Sequence, residues 1–538
     1  MANKNAGDAN GMALTRRSFL ERFGMVGGST LVMSAMRSWD LLGAQAGPRP
    51  MLSGRPKNVK VVVLGAGVSG LTTGYELSKL GYDVRILEAR DRVGGVNWTV
   101  RRGATHTEIG SGGETQVCNF DEGMYVNGGP WRIPHWHTGV LGYCKELGVP
   151  LEMFVNEAEA SYFYYEGANI GPLASKRVRL REVKADMLGY TCELMTKALD
   201  QDKLDVALTA EDKERFVTFL VNEGYLDSAD HAYKKNSGRG PGDPNDFQAL
   251  LQSGFGNRVR SVMDGTGQAP MFQPIGGIDN FPKGFQRALG DKITLGTEVL
   301  SIRQTDDSVK IACKNTKTGA TQEVIADYVV SCLPLTILSK IDVNLSTETM
   351  TAVKSTPYSP SAKMGLQMKR RFWEEDDRIF GGHLYSNLPF GEFSYPSNGY
   401  FGNKGVLLGF YGNGQMSGVV NMPVKDRIEH VLTHASRVHP QIRTEFDNAY
   451  CVFWEKIPYS LGAFSGGGGG GERRGGGGAG AAGADRLSTL GKPDGRIYLG
   501  CAAVSGNGSW MEGAVAAGWK QVTALHQRVM GQSVQTGQ

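Results

Sequence analysis

The sequence lacks any arrangement of cysteines that suits a metal. Its seven cysteines are scattered, and none forms a CxxC pair or another metal-ligand spacing, which favours packed, unpaired thiols. His135 and His137 flank Trp136, but no third ligand lies at a recognised spacing, so no metal site is predicted. The sequence also has no G-x-S-x-G nucleophile elbow and no carboxylate pair in a glycosidase-like context, so those hydrolase chemistries are set aside.

The chain also lacks a strong excess of charge and a long apolar run. Its formal net charge is +4 over 538 residues, and no basic block is interleaved with aromatic residues. Nucleic acid is therefore not an expected partner. No stretch reaches transmembrane length, so no stable membrane anchor is predicted. A hydrophobic content of 40% can fill large cores, and the length suggests about two to four domains.

The N-terminus has the features of a targeting segment. Residues 15–20, Thr-Arg-Arg-Ser-Phe-Leu, have the paired arginines and apolar residues of a twin-arginine signal. The moderately apolar stretch 23–36 is too short to span a bilayer, and Ala44-Gln45-Ala46 offers a small-residue cleavage site. The expected localisation is periplasmic or secreted, and a disordered basic tail is the alternative.

The stretch from Lys60 to Glu88 has the order of elements that a dinucleotide site requires. An apolar run over 61–64 is typical of a strand buried on both faces of a parallel sheet. A glycine-rich turn, Gly-Ala-Gly-Val-Ser-Gly, occupies residues 65–70. A helical pattern from about residue 69 to 80 and a strand-like run over 83–87 come next, which together favour dinucleotide binding over a surface loop.

The three glycines of this turn have separate roles. Gly65 permits the tight turn, Gly67 lets the backbone approach a diphosphate, and Gly70 lets the helix pack on the strand. The helix N-terminus offers amides to the phosphates, and Glu88 is placed to bind the ribose hydroxyls. The contacts predicted here are Gly65, Gly67, Val68, Ser69, Gly70 and Glu88.

The residues after Glu88 indicate which dinucleotide is bound. Residues 88–95, Glu-Ala-Arg-Asp-Arg-Val-Gly-Gly, resemble the second glycine signature of flavoprotein amine oxidases, the monoamine oxidase-like family. In that family the paired glycines bring another backbone loop against the diphosphate, so the resemblance implies FAD as cofactor. It departs at Val96, where relatives commonly carry arginine, and Arg101 or Arg102 is a candidate replacement. The implied contacts are Ala89, Arg90, Gly94 and Gly95.

The resemblance covers nearly all of residues 58–530 and implies an α/β fold. A Rossmann-like FAD-binding domain is expected to be interleaved with an α+β substrate-binding domain and a helical subdomain. Helices are predicted over 186–198 and 210–221, and strands over 298–303, 309–314, 323–325 and 328–331. The backbone near Val299 is implied to meet the adenine.

Domain boundaries follow from the same comparison. The expected segments are the signal or tail over 1–46, FAD-binding parts over 58–130, 271–358 and 486–530, substrate-binding parts over 131–270 (partly helical) and 359–464, and a glycine-rich flexible tract over 465–485. The tract cannot bury enough apolar surface to offset its ordering entropy.

A substrate-binding arginine is implied by residues 129–134, Gly-Pro-Trp-Arg-Ile-Pro. They resemble the segment by which L-amino acid oxidases present an arginine, here Arg132, to the substrate carboxylate. The planar guanidinium can bind both carboxylate oxygens and always stays charged. Pro130 and Trp131 are implied to contact the cofactor together with Arg132. Tyr395, within Phe-Ser-Tyr-Pro, matches the tyrosine that hydrogen-bonds the same carboxylate.

Two further segments complete the implied site. Lys363 matches a family lysine that holds a water beside the flavin N5, and it is expected to be catalytic. Residues 509–514, Ser-Trp-Met-Glu-Gly-Ala, resemble the aromatic wall and the helix start under the flavin pyrimidine. Trp510 is expected to flank the substrate α-carbon in a catalytic position. The remaining implied contacts are Ser509 with substrate and Met511, Glu512 and Ala514 with cofactor.

The sequence is therefore interpreted as an FAD-dependent L-amino acid oxidase. Its expected partners are a small L-amino acid, with an apolar or aromatic side chain, and oxygen. The expected products are a 2-oxo acid, ammonia and hydrogen peroxide. Three alternatives stay open: an amine oxidase, an amino acid 2-monooxygenase, and a flavin-binding protein with low turnover. The last is motivated by Val96 and by the segment around Cys501, which lacks the acid common in relatives. A homodimer also stays open.

Overall fold

The computed structural model describes residues 49–199, 209–234, 237–259, 270–412, 417–465, 481–505 and 508–531. The predicted signal segment and residues 466–480 of the glycine tract lie outside the described residues. Within the described part, no helix is both long and apolar enough to cross a membrane.

The described chain alternates strands and helices along most of its length. The strands are β1 Lys60–Leu64, β2 Asp83–Leu87, β3 Thr99–Val100, β4 Thr105–Thr107, β5 Thr115–Val117, β6 Val126–Asn127, β7 Leu151–Val155, β8 Tyr162–Tyr164, β9 Val178–Arg179, β10 Pro270–Pro274, β11 Ile293–Thr294, β12 Thr297–Gln304, β13 Val309–Asn315, β14 Thr321–Ala326, β15 Tyr328–Ser331, β16 Asp342–Val343, β17 Tyr358–Ser359, β18 Ala362–Met368, β19 His383–Ser386, β20 Phe393–Ser394, β21 Gly405–Gly412, β22 Phe446–Phe453, β23 Phe464–Ser465 and β24 Ile497–Leu499. The α-helices are α1 Val68–Leu80, α2 Thr138–Glu146, α3 Leu180–Leu199, α4 Ala210–Gly224, α5 Phe247–Ser253, α6 Asn280–Leu289, α7 Leu335–Leu338, α8 Thr347–Ser355, α9 Phe372–Glu375, α10 Ser417–Val420, α11 Val424–Ala435, α12 Ile442–Glu445, α13 Ala481–Leu490 and α14 Met511–Val529.

The first of two large sheets is parallel and has five strands. Its order is β11-β2-β1-β15-β24, so distant parts of the sequence supply neighbouring strands. β1 is buried from its second residue onward, as expected for a strand covered on both faces. The predicted strands and the helix after the glycine turn are confirmed to within a few residues. The expected α/β class is also confirmed.

The two faces of this sheet have different cover. On one face, side chains of β1 and β2 pack with those of α1, α2, α6 and α14. On the other face, they pack against the sheet β14-β13-β12-β16 and against α7 and α8. Helices α1 and α14 approach closely, because a Cβ at Gly518 would lie 3.0 Å from the Ser69 carbonyl oxygen.

The second large sheet has seven strands in the order β22-β18-β21-β20-β19-β8-β9. All seven residues of β18 are buried, which is unusual for a strand that contains a lysine. Lys363 of β18 lies opposite Tyr411 of β21. The core behind this sheet is mostly aromatic and aliphatic, with Phe372, Trp373 and Phe410 fully buried.

The helical segment and the cysteines largely follow the predictions. α3 begins earlier than predicted, because Leu180 and Val183 join a buried cluster with Phe255. α4 begins at a capping box in which Thr209 and Asp212 bond each other's backbone amides. All seven cysteines are free. Helix α13 begins at Ala481, within the tract predicted as flexible over 465–485, and its alanines favour helix.

Candidate active site

The glycine turn after β1 leaves an open space at one position only. Gly65 has φ +93, which favours glycine, and a Cβ on Gly70 would lie 1.9 Å from the Gly65 carbonyl oxygen. A Cβ on Gly67, in contrast, would meet nothing within 4 Å. Gly67 caps α1 in an extended conformation, and the first turn of α1 contains no acidic residue. An anionic group can therefore approach the helix N-terminus in front of Gly67.

The second glycine segment packs directly against this turn. The Gly94 amide donates to the Ala66 carbonyl at 2.7 Å, and Gly94 and Gly67 form an isolated parallel bridge. A Cβ on Gly95 would lie 3.3 Å from the Gly67 Cα. The two glycine signatures, separated in the sequence, thus border the same space, as a diphosphate site requires.

Two arginines hold the second glycine segment. Arg92 donates to the Gly95 carbonyl at 2.8 Å and lies 4.8 Å from the Trp98 ring centroid, and burial lowers its pKa to about 9. Arg90 donates to the Pro458 carbonyl at 2.6 Å and to Ser460 Oγ at 2.8 Å. Arg90 therefore connects the second glycine segment to residues 458–460. Ala89 beside it is half-buried.

Glu88 lies beside the glycine turn. Its two carboxylate oxygens accept the amides of Ala66 at 2.8 Å and of Arg90 at 2.9 Å. Its carbonyl accepts the Thr297 amide at 2.7 Å, at the start of the strand that carries Val299. Val299 is buried in the cluster between the parallel sheet and the sheet β14-β13-β12-β16. The structure thus brings Glu88, the turn and the Val299 strand together.

The two candidate replacements for the arginine absent at position 96 have protein partners. Arg101 forms a bidentate pair with Asp279, with both distances 2.8 Å, and Arg102 donates to the Phe120 carbonyl at 2.9 Å. A contact of either guanidinium with a cofactor phosphate stays a prediction. Val96 itself lies against the next part of the site, because a Cβ on Gly129 would be 1.8 Å from the Val96 carbonyl oxygen.

The open position at Gly67 predicts different outcomes for two glycine variants. Gly67→Ala adds a methyl group to the space for the cofactor, so we expect a folded protein that loses most of its flavin. Gly70→Ala places the methyl group against the Gly65 carbonyl, so we expect loss of stability by a few kcal/mol. Thermal unfolding and flavin absorbance of both variants check this. Full flavin occupancy in folded Gly67→Ala would contradict the assignment of the space.

Arg132 lies in a polar pocket next to Gly129. Its Nη1 donates to Asn156 Oδ1 at 2.7 Å and lies 3.2 Å from His383 Nε2 and 3.7 Å from Glu392 Oε1. The guanidinium carbon is 5.3 Å from the Trp131 ring centroid. Asn156, His383 and Glu392 were not identified from the sequence, because none of them belongs to a recognised motif.

Lys363 also lies against the Trp131 ring. Its Nζ donates to the Gly129 carbonyl and lies 4.5 Å and 4.7 Å from the ring centroids of Trp131 and Tyr411. Burial holds the pKa of Lys363 well below its usual range, and the positive charge of Arg132 lowers it further. The neutral form of the Lys363 amine, which has a lone pair that can accept a hydrogen bond, is therefore favoured more than in an ordinary lysine.

The structure places Tyr411, and not Tyr395, next to this pocket. The Tyr395 hydroxyl bonds His439 Nε2 at 2.7 Å, and its side chain is buried in the core of the seven-stranded sheet. Successive strand residues point to opposite faces, so Ser394 faces His383 while Tyr395 faces away. The predicted pairing of Tyr395 with Arg132 is thus corrected. Burial and the charge of Glu392 raise the pKa of Tyr411 to about 12, so its phenol stays protonated.

The N-terminus of α14 closes the site on a third side. Trp510 caps α14 and lies 5.0 Å from the His137 ring, edge to face. Met511 contacts the Asn97 amide nitrogen through its sulfur at 2.8 Å, which connects α14 to the second glycine segment. Ser509 is exposed.

The Glu512 side chain has a structural role. Its carboxylate oxygens accept the amides of Gly139 at 2.8 Å and Val140 at 2.9 Å, so the side chain caps α2. The backbone amides of Met511 to Gly513 lie in the first turn of α14, at the positive end of the helix dipole, while the Ala514 amide donates to the Trp510 carbonyl at 3.4 Å. The contact of this turn with the cofactor stays a prediction.

Comparisons with known proteins agree with this geometry. The sequence profile of the flavin containing amine oxidoreductases matches residues 68–526. L-amino-acid oxidase of Pseudechis australis is 24% identical over 480 residues, covering 85% of each chain. L-amino-acid oxidase of Siganus canaliculatus is 25% identical over 493 residues, covering 87% of this chain and 86% of its own.

Solved structures resemble the fold. Wild-type putrescine oxidase bound to putrescine aligns with a TM-score of 0.56 at 19% identity, over 87% of this chain and 99% of its own. Cyclohexylamine oxidase from Brevibacterium oxydans IH-35A aligns with a TM-score of 0.56 at 17% identity, over 88% and 100%. With two glycine segments around one open space and a profile match over most of its length, this chain belongs to the flavin containing amine oxidoreductases, and its cofactor is a flavin.

Proposed function

We propose that the protein is an FAD-dependent L-amino acid oxidase, which converts L-amino acids to 2-oxo acids, ammonia and hydrogen peroxide. One observation carries the proposal. A half-buried Arg132 lies in a polar pocket that adjoins Lys363 through Gly129, and Gly129 itself packs on the second glycine segment. A carboxylate-binding cation next to a flavin site suits an amino acid substrate.

Arg132 is suited to fix the substrate carboxylate. A guanidinium presents two parallel N–H donors to a carboxylate, which gives both affinity and orientation. The Asn156 oxygen holds one Nη1 hydrogen, so the position of the guanidinium is set before substrate binds. Tyr411 is the tyrosine whose phenol can add a second donor, because it stays protonated and borders both Lys363 and Trp131.

Lys363 is suited to hold a water or a proton beside the reacting carbon. With its lowered pKa, the Lys363 amine can lose its proton, and Nζ can then accept a hydrogen bond while it donates another to the Gly129 carbonyl. The rings of Trp131 and Tyr411 exclude bulk water around it. A bound FAD would supply the acceptor for a hydride from the substrate α-carbon and, through its reoxidation by oxygen, the route to hydrogen peroxide. The protein contributes mainly position and electrostatics.

A second candidate, oxidation of amines without a carboxylate, is favoured by Glu392. Its carboxylate lies 3.7 Å from Arg132 Nη1 and 3.0 Å from His383 Nδ1. It offsets part of the Arg132 charge and offers an anion to a substrate ammonium. The similar solved structures of putrescine oxidase and cyclohexylamine oxidase are named for amine substrates.

A peroxide assay with paired substrates tests the proposal. Phenylalanine and phenethylamine differ by the carboxylate, and leucine with isoamylamine gives an aliphatic pair. We expect peroxide and ammonia from the amino acids only. Turnover of the amines alone would favour the second candidate, and an amide with carbon dioxide would indicate a monooxygenase. A flavin that no substrate bleaches without oxygen would indicate a binding protein with low turnover.

The cellular setting is also a proposal. The paired arginines at residues 16 and 17 support twin-arginine export, which transports folded proteins, to the periplasm or beyond. Trp131 and Trp510 support apolar or aromatic amino acids as substrates. We propose small molecules and oxygen as the partners, without nucleic acid or a membrane anchor, and a homodimer as the assembly to test by light scattering.

A further inference from the structure

The Nη1 end of the Arg132 guanidinium has two acceptors among its neighbours. Nη1 donates to Asn156 Oδ1 at 2.7 Å and lies 3.2 Å from His383 Nε2. Asn156 and His383 are buried, so bulk water does not compete for these contacts. Nη1 carries two hydrogens, so with two acceptors beside it this atom has its protein partners before any substrate arrives.

His383 can accept a hydrogen bond from Arg132 only when its ring proton is on Nδ1. In a neutral imidazole one nitrogen is a donor and the other an acceptor. His383 Nδ1 lies 2.5 Å from Ser394 Oγ and 3.0 Å from Glu392 Oε1. A proton on Nδ1 faces the negative carboxylate favourably and can be donated to the Ser394 hydroxyl. The Nε2 lone pair then points toward the Arg132 donor.

The other tautomer of His383 meets unfavourable neighbours at both nitrogens. With its proton on Nε2, the ring can donate to Asn156 Oδ1, which is 3.2 Å away. That proton also lies against Arg132 Nη1, a positively charged group that can only donate. The Nδ1 lone pair at the same time faces the Glu392 carboxylate. Glu392 and Arg132 therefore both favour the tautomer that accepts from Arg132.

The edge of the guanidinium formed by Nε and Nη2 has a different environment. No described residue forms a hydrogen bond with either atom, and neither atom is completely buried. The Arg132 side chain keeps 15% of its surface exposed. Nε and Nη2 present two nearly parallel N–H groups, which match the two oxygens of a carboxylate. The accessible edge of Arg132 is therefore the one with the pair of donors that a carboxylate needs.

We propose that Asn156 and His383 are positioning residues that hold Nη1 of Arg132, so that the substrate carboxylate binds the Nη2–Nε edge. Glu392 supports this arrangement through the tautomer of His383. The proposal rests on the proposed function, because it takes Arg132 as the group that binds the carboxylate. It adds the direction of binding, since the edge that receives the carboxylate fixes the angle at which the α-carbon enters the site.

Two variants of His383 separate the acceptor from the bulk of the ring. Glutamine can bring its side-chain oxygen close to the position of Nε2, whereas the shorter asparagine ends near the position of Nδ1. We expect His383→Asn to raise the KM for phenylalanine about tenfold and to change kcat by less than about twofold. His383→Gln should stay within about threefold of the wild-type KM. Equal rises in KM in both variants, or an unchanged KM in His383→Asn, would overturn the proposal.

Binding of 3-phenylpropanoate, which has the carboxylate but no amine, gives a readout that does not depend on turnover. Its Kd, measured from the change in flavin absorbance, should rise about tenfold in His383→Asn. His231→Asn makes the same replacement in the loop after α4, where a φ of +53 suits asparagine, and should keep the wild-type Kd. A rise of the same size in His231→Asn would overturn the proposal, because it would indicate a general effect of the replacement. Thermal unfolding establishes that each variant is folded.

Arg132→Met tells a failure of this proposal apart from a failure of the proposed function. Unchanged binding of 3-phenylpropanoate in Arg132→Met would contradict the proposed function. Weaker binding in Arg132→Met together with an unchanged Kd in His383→Asn would overturn only the positioning role. A crystal structure of the flavin-loaded protein with 3-phenylpropanoate then tests the edge itself. We expect the carboxylate oxygens at about 2.8 Å from Nη2 and Nε, and an oxygen bonded to Nη1 in their place would overturn the proposal.

Discussion

Replacing Arg132 with methionine is expected to raise the KM for amino acids sharply while the flavin stays bound. Methionine keeps much of the length of the side chain but removes the charge that pairs with the substrate carboxylate. Loss of a charge-assisted pair costs about 3 kcal/mol, which is roughly a 100-fold fall in kcat/KM. Steady-state peroxide assays with phenylalanine and flavin absorbance at 450 nm, the usual flavin band, measure the two effects.

Two tyrosine variants act as controls for this result. Tyr411→Phe should raise the KM in the same direction but less, because it removes a neutral donor. Tyr395→Phe should leave the KM unchanged, since its hydroxyl bonds His439 in the core. Arg132→Met also removes the guanidinium that lies 3.7 Å from Glu392, so Arg132→Met combined with Glu392→Gln separates substrate binding from this side effect. An unchanged KM in both Arg132 variants would contradict the proposed role.

Replacing Lys363 with methionine is expected to lower kcat with a smaller effect on KM. A positioned group that handles a proton contributes about 10² to 10⁴-fold to a rate, so the fall should be at least 100-fold. Flavin absorbance and anaerobic flavin reduction, followed by stopped flow, separate the chemical step from binding. Lys310→Met, at an exposed strand lysine, is the matched control and should keep the wild-type rate.

The same variant should change the pH dependence of stability. The folded protein holds the pKa of Lys363 well below that of the unfolded chain, which is near 10.4. Between these values the unfolded chain binds a proton that the folded protein does not, so Lys363 makes stability rise with pH. Lys363→Met should therefore be more stable than wild type at pH 7, by a margin that shrinks toward pH 10. A margin independent of pH would contradict a lowered pKa of Lys363 in the folded protein.

Local signals predicted the first strand, the glycine turn, the helix after it and the second strand to within a few residues. β1, the glycine turn, α1, β2 and Glu88 follow each other within residues 60–88. Their arrangement therefore follows from their spacing along the sequence. The structure gives Gly65, Gly67 and Gly70 the separate environments that their proposed roles require. Arg132 and Lys363 also come close together, through Gly129, although they lie far apart in the sequence.

The substrate half was harder to predict, because its contacts depend on strand register. Tyr395 and Tyr411 both lie in apolar runs, and only the pairing of β19, β20 and β21 decides which one borders Arg132. A shift of one residue reverses the face to which a strand side chain points. Asn156, His383 and Glu392 surround Arg132 from positions that are separate in the sequence and that belong to no recognised motif. Glu512 lies at the start of α14 as predicted. Its carboxylate accepts amides from α2, a helix remote in sequence, and no local signal predicted this contact.

The order of strands in the parallel sheet also bears on how the polypeptide acquires its cofactor. The Ser69 hydroxyl donates to the carbonyl of Gly500, 431 residues away, and β24 pairs beside β15 only when this distant segment arrives. Such remote contacts form slowly, since each closes a very long loop of chain. A nascent chain in which α14 has not yet been synthesised has the glycine turn but lacks the helix that packs against α1. Flavin capture is therefore expected after synthesis ends, and truncated chains should be poor at retaining it.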